Sequence, residues 1–128
     1  MPAYGWDDLP SLLDEPAIGE GRAVEAGGMM VQRERWKAGA DATEVFKGLP
    51  GDACQSPHWG HILDGAMKVK TKAGVDEYRA GQSYYLEPGH VPFFEVDCEL
   101  VEFSPAEEYA RTMEHADRRM QELMGAAG

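Results

Sequence analysis

Two runs of this chain gather residues able to bind a metal or move a proton. The first is Cys54-Gln55-Ser56-Pro57-His58-Trp59-Gly60-His61-Ile62-Leu63-Asp64-Gly65. The second is Gly81-Gln82-Ser83-Tyr84-Tyr85-Leu86-Glu87-Pro88-Gly89-His90. Neutral imidazole suits iron, zinc, nickel and copper, and a cysteine ligand favours the softer metals. Imidazole also titrates near neutral pH, so His58 and His90 could serve as general acid and base without any metal. The chain has no nucleophile elbow, no phosphate-binding loop and no paired Cys-x-x-Cys.

Which of these side chains can meet depends on the elements that carry them. In a strand, residues two apart share a face and residues three apart do not. His58 therefore shares a face with Gly60 and Ile62, while His61 faces the other way unless a bulge intervenes. The more plausible chelate is His58 with His90, completed by Cys54, Asp52 or Glu44. Tyr84 and Tyr85 face opposite ways, so at most one reaches a pocket to donate a hydrogen bond to a developing enolate oxygen. Arg33 and Arg35 share a face with Val31 and Lys37; they could clamp a carboxylate substrate, or form a solvated face paired with acids. Trp36, Trp59, Phe93 and Phe94 read as core or pocket walls. Cys98 reads as a small buried strand residue.

Strand character recurs at Met29–Lys37, Thr43–Phe46, His58–Leu63, Met67–Lys70, Val75–Arg79, Ser83–Leu86, Phe93–Val96 and Leu100–Phe103. Turn signals separate the later ones: Asp64-Gly65, Ala73-Gly74, Ala80-Gly81, Pro88-Gly89 and Asp97. Short strands at this spacing predict an all-β sandwich or barrel. Asp64-Gly65 between two apolar runs predicts a hairpin. Residues 6–14 predict a short helical turn. Ser104-Pro105-Ala106-Glu107 has the form of a helix start: a Ser N-cap, Pro at the first helical position and Glu at the capping-box position. Tyr109, Met113, Ala116, Met120 and Leu123 then recur at helical spacing, which predicts an amphipathic helix over about 105–124 packed on the barrel or on a partner subunit. His115 falls off that stripe and reads as a solvated surface residue.

Length and composition bound the rest. A chain of 128 residues with 43% hydrophobic residues forms one globular domain with a real core. Its 15 glycines and eight prolines suit many tight turns. With 23 acidic and 12 basic residues the net charge is -11, which argues against a nucleic-acid or anionic-membrane partner. Two cysteines are too few for a disulfide scaffold. No apolar run is long enough to span a bilayer, and the acidic start lacks the features of a signal peptide, so the expected compartment is the cytosol.

The two runs resemble the motifs of the cupin superfamily, small jelly-roll β-barrels. Gly65 matches the closing glycine of the first cupin motif. Counting back from it places His58 at the usual Glu and Cys54 and Asp52 at the usual His-x-His. In the second motif Gly81 and Gly89 match. Glu87 stands at the usual Pro and Pro92 at the usual metal histidine, with His90 two residues earlier. The pattern is most similar to single-domain cupins bearing His-Trp-Gly and Pro-Gly-His. The resemblance covers about residues 51–103 and implies a cupin-type jelly-roll β-barrel over about 22–103, within one domain spanning 1–128, and a homodimer. It implies His58 facing the barrel interior, and a metal set drawn from His58, His90, Cys54 and His61 holding Fe, Zn, Ni, Mn or Cu. Expected catalytic residues are His58, His90 and Tyr85; expected substrate-binding residues are Arg33, Arg35, Trp36 and Phe94. Two functions stand side by side: a metal-dependent dioxygenase, isomerase or lyase acting on a small organic acid, and a non-catalytic small-ligand barrel without metal.

Overall fold

A computed structural model describes residues 1–127. Among them are eight strands: β1 (Ser11–Glu15), β2 (Gly19–Ala26), β3 (Met29–Trp36), β4 (His58–Thr71), β5 (Gly74–Arg79), β6 (Ser83–Leu86), β7 (Val91–Phe93) and β8 (Cys98–Pro105). One helix, α1 (Ala106–Ala127), follows directly on β8. The strands form one antiparallel sheet in the order β1-β2-β3-β8-β4-β5, with β6 and β7 also pairing with β4. The sheet curls about its own inner face, as the all-β expectation with a C-terminal helix requires.

β4 is the element that makes the curl. Its first half pairs with β8 and β6, through Trp59↔Phe103 and His58↔Leu86. Its second half pairs with β5 and β7, through Met67↔Tyr78 and Val69↔Pro92. The predicted hairpin at Asp64-Gly65 is therefore corrected: the chain runs straight through. The pairing slips between Ile62 and Asp64, which is a β-bulge that accommodates Leu63. Turn-type residues serve a bulge as well as a hairpin, because both use positive φ. Gly65 has φ +77°. The bulge switches the inward parity, from His58 and Ile62 before it to Met67 and Val69 after it.

The inner face holds a core of Ile62, Met67, Val69, Tyr84, Leu86, Phe94, Cys98 and Leu100. A second cluster joins Phe46, Ala53, Cys54 and Val91 to Ala116 of α1. Two other expectations are corrected here. Thr43–Phe46 is a run of turns, not a strand. Asp41 captures the Thr43 amide at 2.8 Å and its hydroxyl at 2.6 Å, a local side-chain turn that outcompetes strand propensity. Residues 6–14 give only a 3-10 turn at Trp6–Asp8 before β1 begins.

α1 carries the expected apolar spacing, with Thr112 and Ala116 its buried positions. His115 is not simply solvated: its Nε2 lies 2.6 Å from the Lys47 carbonyl. Arg119 donates from Nε to the Glu44 carbonyl at 3.2 Å. The helix is thus tied to the 41–55 loop. No helix among the described residues is long and apolar enough to cross a membrane.

A buried Cys-His-His cluster as candidate functional site

Three backbone arrangements bring Cys54, His58 and His90 together. His58 is the first residue of β4 and points inward, as strand parity predicts. The Pro88-Gly89 turn delivers His90. Cys54 comes from the loop, held beside that turn by a two-sided bridge: Cys54 N–H donates to the His90 carbonyl at 2.9 Å, and Gly89 N–H to the Cys54 carbonyl at 2.7 Å. The three donor atoms lie within 4.8 Å of one another. Their residues are 2%, 9% and 1% exposed, so the cluster is internal. The two imidazoles meet edge to face, with centroids 5.0 Å apart.

Each imidazole is gripped at Nδ1, and for His90 the partner leaves Nε2 for a ligand. His90 Nδ1–H donates to the Glu87 carbonyl at 2.5 Å; a carbonyl only accepts, so this fixes the tautomer with a lone pair on Nε2. His58 Nδ1 lies 2.5 Å from Ser104 Oγ. Metal-binding histidines are held in this way by a partner on the other ring nitrogen. The Cys54 Sγ to His58 Nε2 distance is 3.5 Å. Zn–S and Zn–N bonds at a tetrahedral angle place the two donor atoms about 3.5–3.6 Å apart, so this edge of the cluster already has the separation an ion imposes.

The electrostatics agree with a ligand set. Burial pulls the His58 imidazole down to about 4. Burial, then the neighbouring His58, pull His90 down to about 4 against the Glu87 carbonyl. Both rings are neutral, the ligating form, at physiological pH. Burial pushes the Cys54 thiol up to about 12, so a metal ion must displace its proton. The donor set fits a soft divalent ion and disfavours one that prefers an all-oxygen shell.

Around the cluster lies an inward polar group that the motif spacing does not mark. Gln32 and Glu34 come from β3, Tyr84 from β6, and Glu102 and Ser104 from β8. Tyr84 donates to Glu102 Oε1 at 2.5 Å, and Glu102 Oε2 lies 3.9 Å from His58 Nδ1. The sequence did carry a signal for these residues. If Arg33 and Arg35 face out, then Gln32 and Glu34 face in. Leu100, Glu102 and Ser104 likewise share the face of buried Cys98. Ser104 is corrected from its N-cap role: β8 runs to Pro105 without a break, so the hydroxyl is already inside the barrel.

These acids have a measurable consequence. Burial pushes the Glu34 carboxyl up to about 8, helped by Glu102, while the Trp36 N–H opposes the shift. Burial pushes Glu102 up to about 7 against the Tyr84 hydrogen bond. An acid raised on folding contributes stability in full below its unfolded value, near 4.5, and loses it as pH rises through 7–8. Glu34→Gln is expected to gain roughly 2–4 kcal/mol over wild type at pH 8.5 and almost nothing at pH 5. Thermal unfolding across that range measures it; an equal offset at both ends would show that Glu34 does not titrate there. The histidines act oppositely: stability present above about pH 6.5 is lost as pH falls through 4.

The remaining candidates lie elsewhere. His61 faces out, with Nδ1 2.8 Å from Ser83 Oγ. Tyr85 is 48% exposed and packs on Trp59, itself 45% exposed; the pocket-facing tyrosine is Tyr84, because Leu86↔His58 pairing sets the parity. Trp59 is corrected from core to outer face. Arg33 and Arg35 both pair with Glu99, at 2.9 and 3.3 Å, on the outer face. Arg35 and Trp36 line a cleft of about 320 Å³ with Asp14 and Asp97, and Phe94 is buried against Trp36. None of the four reaches the cluster. Glu44 pairs with Lys47 at 3.0 Å, and Asp52 accepts the Gly48 amide at 3.0 Å, so neither completes the ligand set. The cluster borders, through His90, a larger cleft of about 850 Å³ whose walls include Gln55, Tyr78, Leu86 and Pro88.

No protein-family model and no curated protein sequence matches the chain. Solved structures do. Oxalate decarboxylase from Bacillus subtilis, in its structure at pH 4.6, superposes with a TM-score of 0.57 at 16% identity, over 80% of this chain and 28% of that enzyme. The formate complex of the Lactobacillus farciminis oxalate decarboxylase gives the same TM-score, identity and share of this chain, and 32% of its own length is covered. The chain thus spans about a third or less of these enzymes. The likeness shows the fold alone: a curled antiparallel β-barrel of the jelly-roll kind.

Proposed function

We propose that the protein is a metal-dependent cupin in which Cys54, His58 and His90 hold one soft divalent ion, zinc, iron or copper before manganese, and that it acts on a small organic acid admitted through the cleft beside His90. The observation that carries this reading is the convergence of three buried donors with each imidazole gripped at Nδ1. A bound ion would supply Lewis-acid polarisation of a substrate oxygen. The chain's own residues supply the rest. Burial excludes water from the cluster, Glu87 and Ser104 orient the rings, and the Tyr84–Glu102 pair holds a proton next to His58. A carboxyl group near pH 7 exchanges protons efficiently at neutral pH, which supports isomerase or lyase chemistry over oxygen chemistry. Fold likeness to oxalate decarboxylase supplies a small dicarboxylate as a first substrate to try, by analogy alone.

Elemental analysis of untagged protein, followed by reconstitution with zinc and with cobalt, tests the reading. About one ion per chain is expected. Failure to retain any ion after reconstitution would overturn it. The depth of burial favours one other reading, a binding barrel in which the same cluster is a hydrogen-bonded wall. Thermal-shift screening separates the two: there, small acids raise Tm in metal-free protein as much as in loaded protein.

A further inference from the structure

The hydrogen bonds around His58 form a chain whose direction can be worked out, and the inference rests on the metal reading of the cluster. Cys54 S–H points to the Ser56 carbonyl at 3.7 Å. A thiol has a single proton, so toward His58 the sulfur can only accept. The 3.5 Å contact to Nε2 is then His58 Nε2–H donating to sulfur. That leaves a lone pair on Nδ1, and the 2.5 Å contact is Ser104 O–H donating to it. Gln32 Nε2 in turn donates to Ser104 Oγ at 2.7 Å. Gln32 and Ser104 are fully enclosed, at 1% and 0% exposure, so water cannot replace either partner. Four hydrogen bonds thus run one way from Gln32 to Ser56.

This direction is wrong for metal binding. An ion needs the lone pair on Nε2, which puts the proton on Nδ1, and Ser104 Oγ must then accept instead of donate. A serine hydroxyl can do both, with one proton and two lone pairs. The rotated proton would turn toward Glu102, an acceptor on the same strand face whose Oε2 lies 3.9 Å from the same Nδ1. We infer that the Ser104 hydroxyl, anchored by the Gln32 amide, is a two-position switch: it holds His58 in the Nε2–H tautomer in metal-free protein and accepts from Nδ1–H once an ion binds. The balance is simple. The His58 proton moves from Nε2 to Nδ1, the Cys54 thiol proton leaves to solvent, and nothing is oxidised or reduced. Ser104 and Gln32 are positioning residues, since neither touches the ion.

The tautomer is read directly by long-range ¹⁵N–¹H correlation of the histidine side chains, in metal-free and zinc-loaded protein at neutral pH. The expected result is Nε2–H for His58 without metal and Nδ1–H with it. His90, gripped by a carbonyl, should show Nδ1–H in both. Ser104→Ala is expected to weaken cobalt or zinc affinity roughly 10- to 100-fold, measured by competition with a chromophoric chelator. It should also weaken the tautomer preference, which the Nε2–H contact to the Cys54 sulfur then holds alone, and Ser104→Thr should restore both. Gln32→Leu, which frees the hydroxyl without removing it, should lie between Ser104→Ala and wild type. Finding His58 already Nδ1–H in metal-free protein, or a Ser104→Ala variant that binds metal as tightly as wild type, would overturn the switch. A protein with the Nε2–H tautomer, weakened in Ser104→Ala, that takes up no metal supports the positioning role and overturns the metal reading instead.

Discussion

His58→Ala is expected to take up no metal under conditions in which the wild-type chain takes up about one ion. Of the three clustered donors, His58 is the one carried by a strand of the sheet. Without it, Cys54 and His90 remain as a two-ligand edge on a loop and a turn. Structural metal sites use four protein ligands and catalytic sites three, so two leave the ion labile. Cys54→Ser should lower affinity by more than about 100-fold for a soft metal and abolish the sulfur-to-cobalt charge-transfer band of the cobalt form, because a hydroxyl at this depth resists deprotonation. Wild-type loading should also release about one proton per ion, from the Cys54 thiol, as measured calorimetrically in buffers of different ionisation enthalpy. His61→Ala and Tyr85→Phe serve as controls. Both side chains face outward, and neither substitution should change stoichiometry. A His58→Ala protein that still holds a full equivalent would place the ion elsewhere.

Gly65→Ala should be the most destabilising single methyl in the chain. The residue sits at φ +77°, where an L side chain costs about 1–2 kcal/mol. A Cβ there would also drive into the Asp97 carbonyl oxygen, a backbone atom on the entry to β8. That neighbour cannot rotate away, unlike the Tyr84 hydroxyl that faces Gly60. Steric strain and backbone conformation together should cost about 3–5 kcal/mol, lowering Tm by more than about 10 °C for a domain of this size. Gly74→Ala is the informative comparison. It also has positive φ, at +132°, but nothing surrounds its Cβ position, so it should lose only the conformational part. Equal losses at the two positions would mean that the close approach to Asp97 contributes nothing.

The parts of the site that follow from strand parity were readable from sequence. His58 faces in and His61 out because β4 starts as a regular strand, and period-two alternation needs no tertiary knowledge. The same alternation, applied to β3 and β8, would have given Gln32, Glu34, Glu102 and Ser104. What could not be read is the meeting of Cys54 with His90. It depends on a bridge between an irregular loop and a turn, and no periodicity encodes that. Two local signals had two meanings. Asp64-Gly65 supplies the positive φ that hairpins and bulges share, and only the strands on either side of β4 decide between them. Ser104-Pro105 resembles a helix cap, but a strand running without pause into a helix has already committed the hydroxyl to its inner face. Thr43–Phe46 shows propensity losing to one aspartate that captures the local amides.

The pairing of β3 with β8 bears on how the molecule comes into being. The Gln32–Ser104 hydrogen bond joins residues 72 positions apart, and β8 is flanked on both sides by strands far from it in sequence. Such long-range pairing must close a large loop before it gains any contact, which slows folding. During synthesis, β2 and β3 can form a ribbon early, and so can β4 and β5. Their inner faces wait exposed until Pro105 has left the ribosome. The nascent chain therefore spends much of its elongation time with open sheet edges and an uncovered Ile62, a state in which a holding chaperone would find its substrate.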